Sequence, residues 1–285
     1  MANHGGGSGE RGTGNVDRIG ATFAQLKAAS RTALIPFITA GDPLPDATVD
    51  VMHALVAAGA DLIELGMPFS DPMADGPVIQ HADERALRRK VGVARVLGWV
   101  RQFRKRDSAT PVVLMGYLNP IAIHGMERFA REAADAGVDG VLVVDCPIEE
   151  DATMQPLRDA GLQRVLLAAP TTSDARLARA IEMAEGYLYY VSFAGITGAA
   201  RLSVTDIAQR VSEIRRRAGV PVAVGFGIKD AASAKAVATF ADAVVIGSAL
   251  VGTLAGAAST EDACGRARGF LAPIRAALND LGNSA

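Results

Sequence analysis

Two acidic residues stand where acids are expensive. Glu64 interrupts the apolar run "DLIELG" (61–66), and the Pro/Gly/Asp loop that follows at once, "MPFSDPMADGPVIQ" (67–80), carries Asp71 and Asp75. A charged carboxylate without a partner costs several kcal/mol in an apolar setting. Burial also moves its pKa upward, toward the range useful for proton transfer near neutrality. The bland alternative is a Glu turned outward to a helix-side salt bridge; the strand-end position favours chemistry. Asp71 and Asp75, taken alone, are ordinary turn residues in "SDP" and "ADG". Because their loop leaves the strand that carries Glu64, Asp75 can fold back over the same point. Two acids can then divide the work, one moving protons while the other stays ionised and accepts an N–H or steadies positive charge.

Such a pair needs a frame, and the chain repeats one pattern that supplies it. A short apolar run, a Gly/Pro/Asp turn and an Ala-rich amphipathic stretch recur. The runs are "TALIPFITAG" (32–41), "DLIELGMP" (61–68), "PVVLMGYL" (111–118), "GVLVVDCP" (140–147), "RVLLAAPT" (164–171), "YLYYVSFA" (187–194), "VPVAVGFG" (220–227) and "DAVVIGSAL" (242–250). They are near-continuous in apolar residues, as expected for parallel strands covered on both faces. The stretches between them, such as "HGMERFAREAADAG" and "DAASAKAVATFA", carry helical spacing with Asp or Ser before and Gly after. Eight such units predict an α/β fold, a (β/α)8 TIM barrel, with a doubly wound sheet as the alternative. An extra N-terminal helix precedes it, with Ile19, Phe23 and Leu26 on one face. The expected organisation is a flexible Gly-rich tail over 1–16 and a single barrel domain over 17–285.

Barrels of this kind do their chemistry at the C-terminal ends of the strands. Those ends read Phe37, Glu64, Met115-Gly116-Tyr117, Asp145, Thr171, Ser192, Gly225-Phe226-Gly227 and Gly247-Ser248. Glycines cluster after the sixth, seventh and eighth runs, in "FAGITGA", "GFGIKD" and "IGSAL". They let backbone N–H groups approach an anion, and loops seven and eight commonly hold phosphate in barrels; tight turning is the bland alternative, and three such clusters on neighbouring strands favour a phosphate. Phe37, Leu114, Leu142, Tyr189 and Val245 lie near the upper strand ends and could line an apolar slot, though each alone reads as core. Cys146 in "VVDCPIEE" has no neighbouring His and reads as a small buried hydrophobe.

The composition narrows the partners. Of 285 residues, 49% are hydrophobic and 21% charged, enough for a sizeable core, and the formal net charge of −2 offers nothing to nucleic acid or an anionic membrane. The basic runs, such as "RQFRKR" (101–106), read as solvated helix faces. Two cysteines without a CxxC and four scattered histidines argue against a disulfide framework or a metal centre and fit a reducing cytoplasm. No apolar run reaches membrane-spanning length, and the Gly-rich start has no signal-peptide core.

Taken in order and spacing, "PFITAGDP", "IELGMPFSDPMADGPVIQ", "LMGYLNPI", "GVLVVDCPIEE", "GITGA", "GFGI" and "IGSALV" resemble the tryptophan synthase alpha chain family over about residues 17–280. The resemblance implies a carbon–carbon lyase without metal or organic cofactor, cleaving indole-3-glycerol phosphate to indole and D-glyceraldehyde 3-phosphate. It implies Glu64 as general acid/base and Asp75 as acceptor of the indole N–H. Phe37, Leu114, Leu142, Tyr189 and Val245 would hold the indole ring. Gly198, Gly227, Gly247 and Ser248 would hold the phosphate, with Thr197 in a loop that closes over the substrate. It implies a pyridoxal-phosphate-dependent beta chain as partner in an alpha2-beta2 tetramer, docked on the loop with Asp71 and the turn with Asp145 and Pro147. Phe193 and Cys146 depart from the residues common in the family at their positions. Other phosphate-binding barrels usually need a catalytic Lys, and the eight runs hold none. The remaining alternatives are a free-standing lyase and a silent allosteric barrel.

Overall fold

The computed structural model describes residues 17–191, 204–225 and 227–282. The apolar runs become parallel strands: β1 Ala33–Thr39, β2 Ile63–Gly66, β3 Val112–Gly116, β4 Gly140–Val143, β5 Gln163–Arg164, β6 Leu166–Ala168, β7 Leu188–Val191, β8 Val222–Gly225 and β9 Ala243–Ile246. Nine segments arise from eight runs because the fifth is split at Val165. Its first half pairs with β4, and its second half pairs with β7. The sheet order is β5-β4-β3-β2-β1-β9-β8-β7-β6, so the ring closes through the covalent chain at Val165. The architecture is a TIM barrel with an extra N-terminal helix, as the repeating pattern predicts.

Strand parity divides the core into two layers, since successive side chains point to opposite faces. Inside lie Ala33, Ile35, Leu62, Val113, Leu142, Val165, Tyr187, Tyr189, Ala223, Ala243 and Val245. Outside, Leu34, Ile38, Ile63, Leu65, Leu114, Val141, Leu188, Val222 and Val244 pack under the helices. The helix Arg18–Ala28 starts at Asp17, whose carboxylate accepts from Gly20 N at 2.8 Å. Its buried face, Ile19, Phe23 and Leu26, joins the inner layer, which it closes from below.

Some of the helices between strands carry the expected caps. Met126–Ala136 ends on Gly137 in the left-handed conformation (φ 88°), and Ala231–Ala238 starts with a reciprocal capping box between Asp230 and Ser233. No described helix is long and apolar enough to cross a membrane.

One buried cluster ties the lower end together. Asp139 accepts from Arg18 Nη1 at 2.8 Å, from Arg104 Nη2 at 2.7 Å and from Val112 N at 2.7 Å. Removing the carboxylate leaves Arg104 as a buried charge without its counterion, a loss of about 3–5 kcal/mol. Asp139→Ala is therefore expected to lower the free energy of unfolding in urea by that amount, and an unchanged value would show that the cluster contributes nothing net.

Candidate active site

Glu64 lies on the inner layer of β2 and is fully buried. Its register partners are Phe37 on β1 and Val113 on β3. The Tyr187 hydroxyl donates to its Oε1 at 2.5 Å, while Oε2 is buried and has no hydrogen-bond partner among the described residues. Burial raises the Glu64 pKa to about 7, against the lowering effect of the Tyr187 bond. A carboxyl poised there can give and take a proton near neutrality.

Above Glu64 opens a cavity of about 270 Å³, close to the lower end of the ~300–1,000 Å³ usual for small-molecule sites. Phe37, Ile79, Met115, Tyr189 and Val245 give it apolar walls. Gly225, Gly227, Gly247, Ser248 and Lys229 stand on its other side, from the ends of β8 and β9. A planar aromatic group fits the first set and an anion the second.

Asp75 is held at the edge of this space. Tyr117, just past β3, donates to Asp75 Oδ2 at 2.7 Å and accepts from Ala74 N at 3.0 Å. Gln80 Nε2 donates to the Asp75 carbonyl at 2.8 Å. Burial raises the Asp75 pKa and the Tyr117 bond opposes it. Asp75 faces a smaller adjoining cavity that shares Phe37, Ile79 and Met115 with the larger one. The two acids thus sit on either side of common apolar walls.

Several residues are placed differently from their sequence reading. Leu114 is turned outward under the helices, and Met115 takes the inward position. The reason is parity: an unbroken apolar strand hides which alternate residue faces in. Leu142 is inward but fully buried, and it does not line the cavity. Phe37, Tyr189, Val245, Gly227, Gly247 and Ser248 do line it. Asp71, Asp145 and Pro147 are exposed; Asp71 accepts from Ser70 Oγ at 2.6 Å and Asp145 from Leu118 N at 2.7 Å. Thr197, Gly198 and Phe193 lie outside the described residues. Sequence reasoning placed Tyr117 at a strand end without a role and missed Tyr187 and Lys229. For Tyr187 the signal was its two-residue spacing from Tyr189, which puts both on one face.

A family profile described as the tryptophan synthase alpha chain matches residues 23–275. The chain belongs to the tryptophan synthase alpha chain family. A tryptophan synthase alpha chain of Xylella fastidiosa is 60% identical over 265 residues, covering 93% of this chain and 99% of that one. One from Xanthomonas oryzae is 61% identical over 264 residues, covering 92% and 98%. The crystal structure of the Legionella pneumophila alpha subunit superimposes with a TM-score of 0.87 at 44% identity, over 93% of this chain and 99% of that one. The activity is the family's carbon–carbon lyase reaction of tryptophan biosynthesis, cleavage of indole-3-glycerol phosphate.

Because burial holds the Glu64 pKa above its ordinary 4.5, the native state binds more protons than the unfolded one between there and about pH 7. The side chain's stability penalty grows as pH rises through that window and is complete above it. Glu64→Gln is expected to be more stable than the parent at pH 8 by roughly 3 kcal/mol, with the gap closing below pH 4.5 in urea unfolding. Tyr187→Phe removes the bond that lowers this pKa, so the Glu64 inflection in a pH–rate profile should move upward; a downward shift would contradict the geometry.

Proposed function

We propose that Glu64 and Asp75 divide the cleavage of indole-3-glycerol phosphate between them. The indole ring would lie between Phe37, Met115, Tyr189 and Val245, with the phosphate toward Gly227, Gly247, Ser248 and Lys229. Glu64, protonated near neutrality, gives its proton to C3 of the indole ring. The ring becomes an indolenine cation, and Asp75 accepts the ring N–H and steadies that charge. The Glu64 carboxylate then takes the proton of the adjacent glycerol hydroxyl. Its electrons form the aldehyde carbonyl, the bond to C3 breaks, and the pair returns to the ring. Indole and glyceraldehyde 3-phosphate result, with Glu64 again protonated. The reading needs no metal or organic cofactor.

The observation that carries this reading is a carboxyl lining the cavity, with one oxygen fixed by Tyr187, the other without a partner among the described residues, and a pKa of about 7. Glu64→Gln and Asp75→Asn should each reduce indole release by about 10²–10⁴-fold while circular dichroism stays unchanged. Near-parental turnover by either variant would overturn its role.

We further propose that the chain works in the cytoplasm against a pyridoxal-phosphate-dependent beta chain, two copies of each forming the assembly. Asp71, Asp145 and Pro147 would lie on the docking face. The large exposed apolar side chains Met73 in the loop after β2 and Ile123 in the helix Leu118–His124 support such a surface. Added beta chain is expected to raise the rate of indole formation, and charge reversal at Asp71 to weaken that response without changing basal turnover.

A further inference from the structure

Asp83 is a buried acid beside the site with no part in the chemistry above. It lies on the helix Pro77–Arg88 and is 4% exposed. Its Oδ2 accepts from Phe69 N at 3.3 Å, where the loop bearing Asp75 leaves β2. It lines the same small cavity as Asp75, with Tyr117 and Met67.

The polar groups around it are mostly acidic. Asp75 faces it from the loop, Asp42 from the turn after β1 and Tyr117 from the end of β3, with the Thr39 hydroxyl on β1. Arg85, on the same helix, is engaged by Asp42 in a two-point pair at 2.6 and 3.0 Å. His81 and Glu84 are turned to solvent. Among the described residues Asp83 forms no ion pair. Burial pushes its pKa up to about 7; the Phe69 N–H opposes this, while Asp75 and Asp42 add to it. Two carboxyls lining one small cavity cannot both ionise cheaply.

We propose that Asp83 is a positioning residue for Asp75: in its neutral form it anchors Phe69 and leaves the negative charge of the shared cavity on Asp75, and its deprotonation impairs cleavage. This rests on the reading that Asp75 accepts the indole N–H. Asn at this position keeps a carbonyl acceptor for Phe69 and has no acidic proton to lose, so Asp83→Asn imitates the neutral form at every pH. Ala removes the anchor as well.

The test is the pH dependence of kcat/KM for indole-3-glycerol phosphate cleavage by the full chain. Glu64 is present in both parent and variant, so its own titration cancels in their ratio. Asp83→Asn should match the parent within about twofold at pH 6 and exceed it by about fivefold or more at pH 9. Asp83→Ala should lose about tenfold or more at both, and if it fails to fold, the Asn variant decides alone. A ratio that does not change with pH, or an Asn variant inactive at pH 6, overturns the proposal. Asp75→Asn in the same assay separates the two failures. Retained turnover there removes the Asp75 reading, whereas lost turnover with a flat Asp83→Asn ratio removes only the positioning role.

Discussion

The hydrogen bond from Tyr187 to Glu64 joins the chemistry of this barrel to its floor. A carboxyl buried on the inner layer is shielded from solvent, so its proton affinity depends on the burial and on the protein groups that reach it. Among the described residues one oxygen is reached, by a phenol whose ring packs 6.0 Å from that of Phe23. Phe23 belongs to the N-terminal helix, which Arg18 and Asp139 fasten to the base of β3 and β4. The acid's readiness to give a proton therefore depends on a helix that never approaches the substrate.

The second acid is governed from the side instead. The loop after β2 is held near both ends: Asp83 accepts from Phe69, and Tyr117 and Gln80 both donate to Asp75. Two of these, Gln80 and Asp83, come from the helix that the loop leads into. A segment that looks like irregular turn chemistry in sequence is thus fixed by its own continuation. The stiff Pro residues and the anchors act together, and among the described residues Asp75 keeps its place without an ion pair.

The frame was legible in the sequence because hydrophobic runs and capped amphipathic stretches are local signals. Glu64 was legible for the opposite reason, as a residue that contradicts its surroundings. The inner and outer layers were not. Parallel strands apolar on both faces give no alternation, so Leu114 and Met115 look equivalent until the register with β2 and β4 separates them. Tyr187 was hidden by the same uniformity, sitting in an apolar run 123 residues from the carboxylate it contacts. The break at Val165 reflects closure of the ring, which no local pattern encodes. Lys229 falls just past the seventh run, beyond the stretch that the strand-end rule inspects.

The helix Arg18–Ala28 makes the barrel a cup with a sealed base. Ile19, Phe23 and Leu26 fill the end opposite the cavity, with the buried inner layer of side chains packed between. Reactant and both products must then share the upper rim as their route. Whatever body covers that rim controls delivery and escape together, so traffic through the molecule is regulated at one threshold.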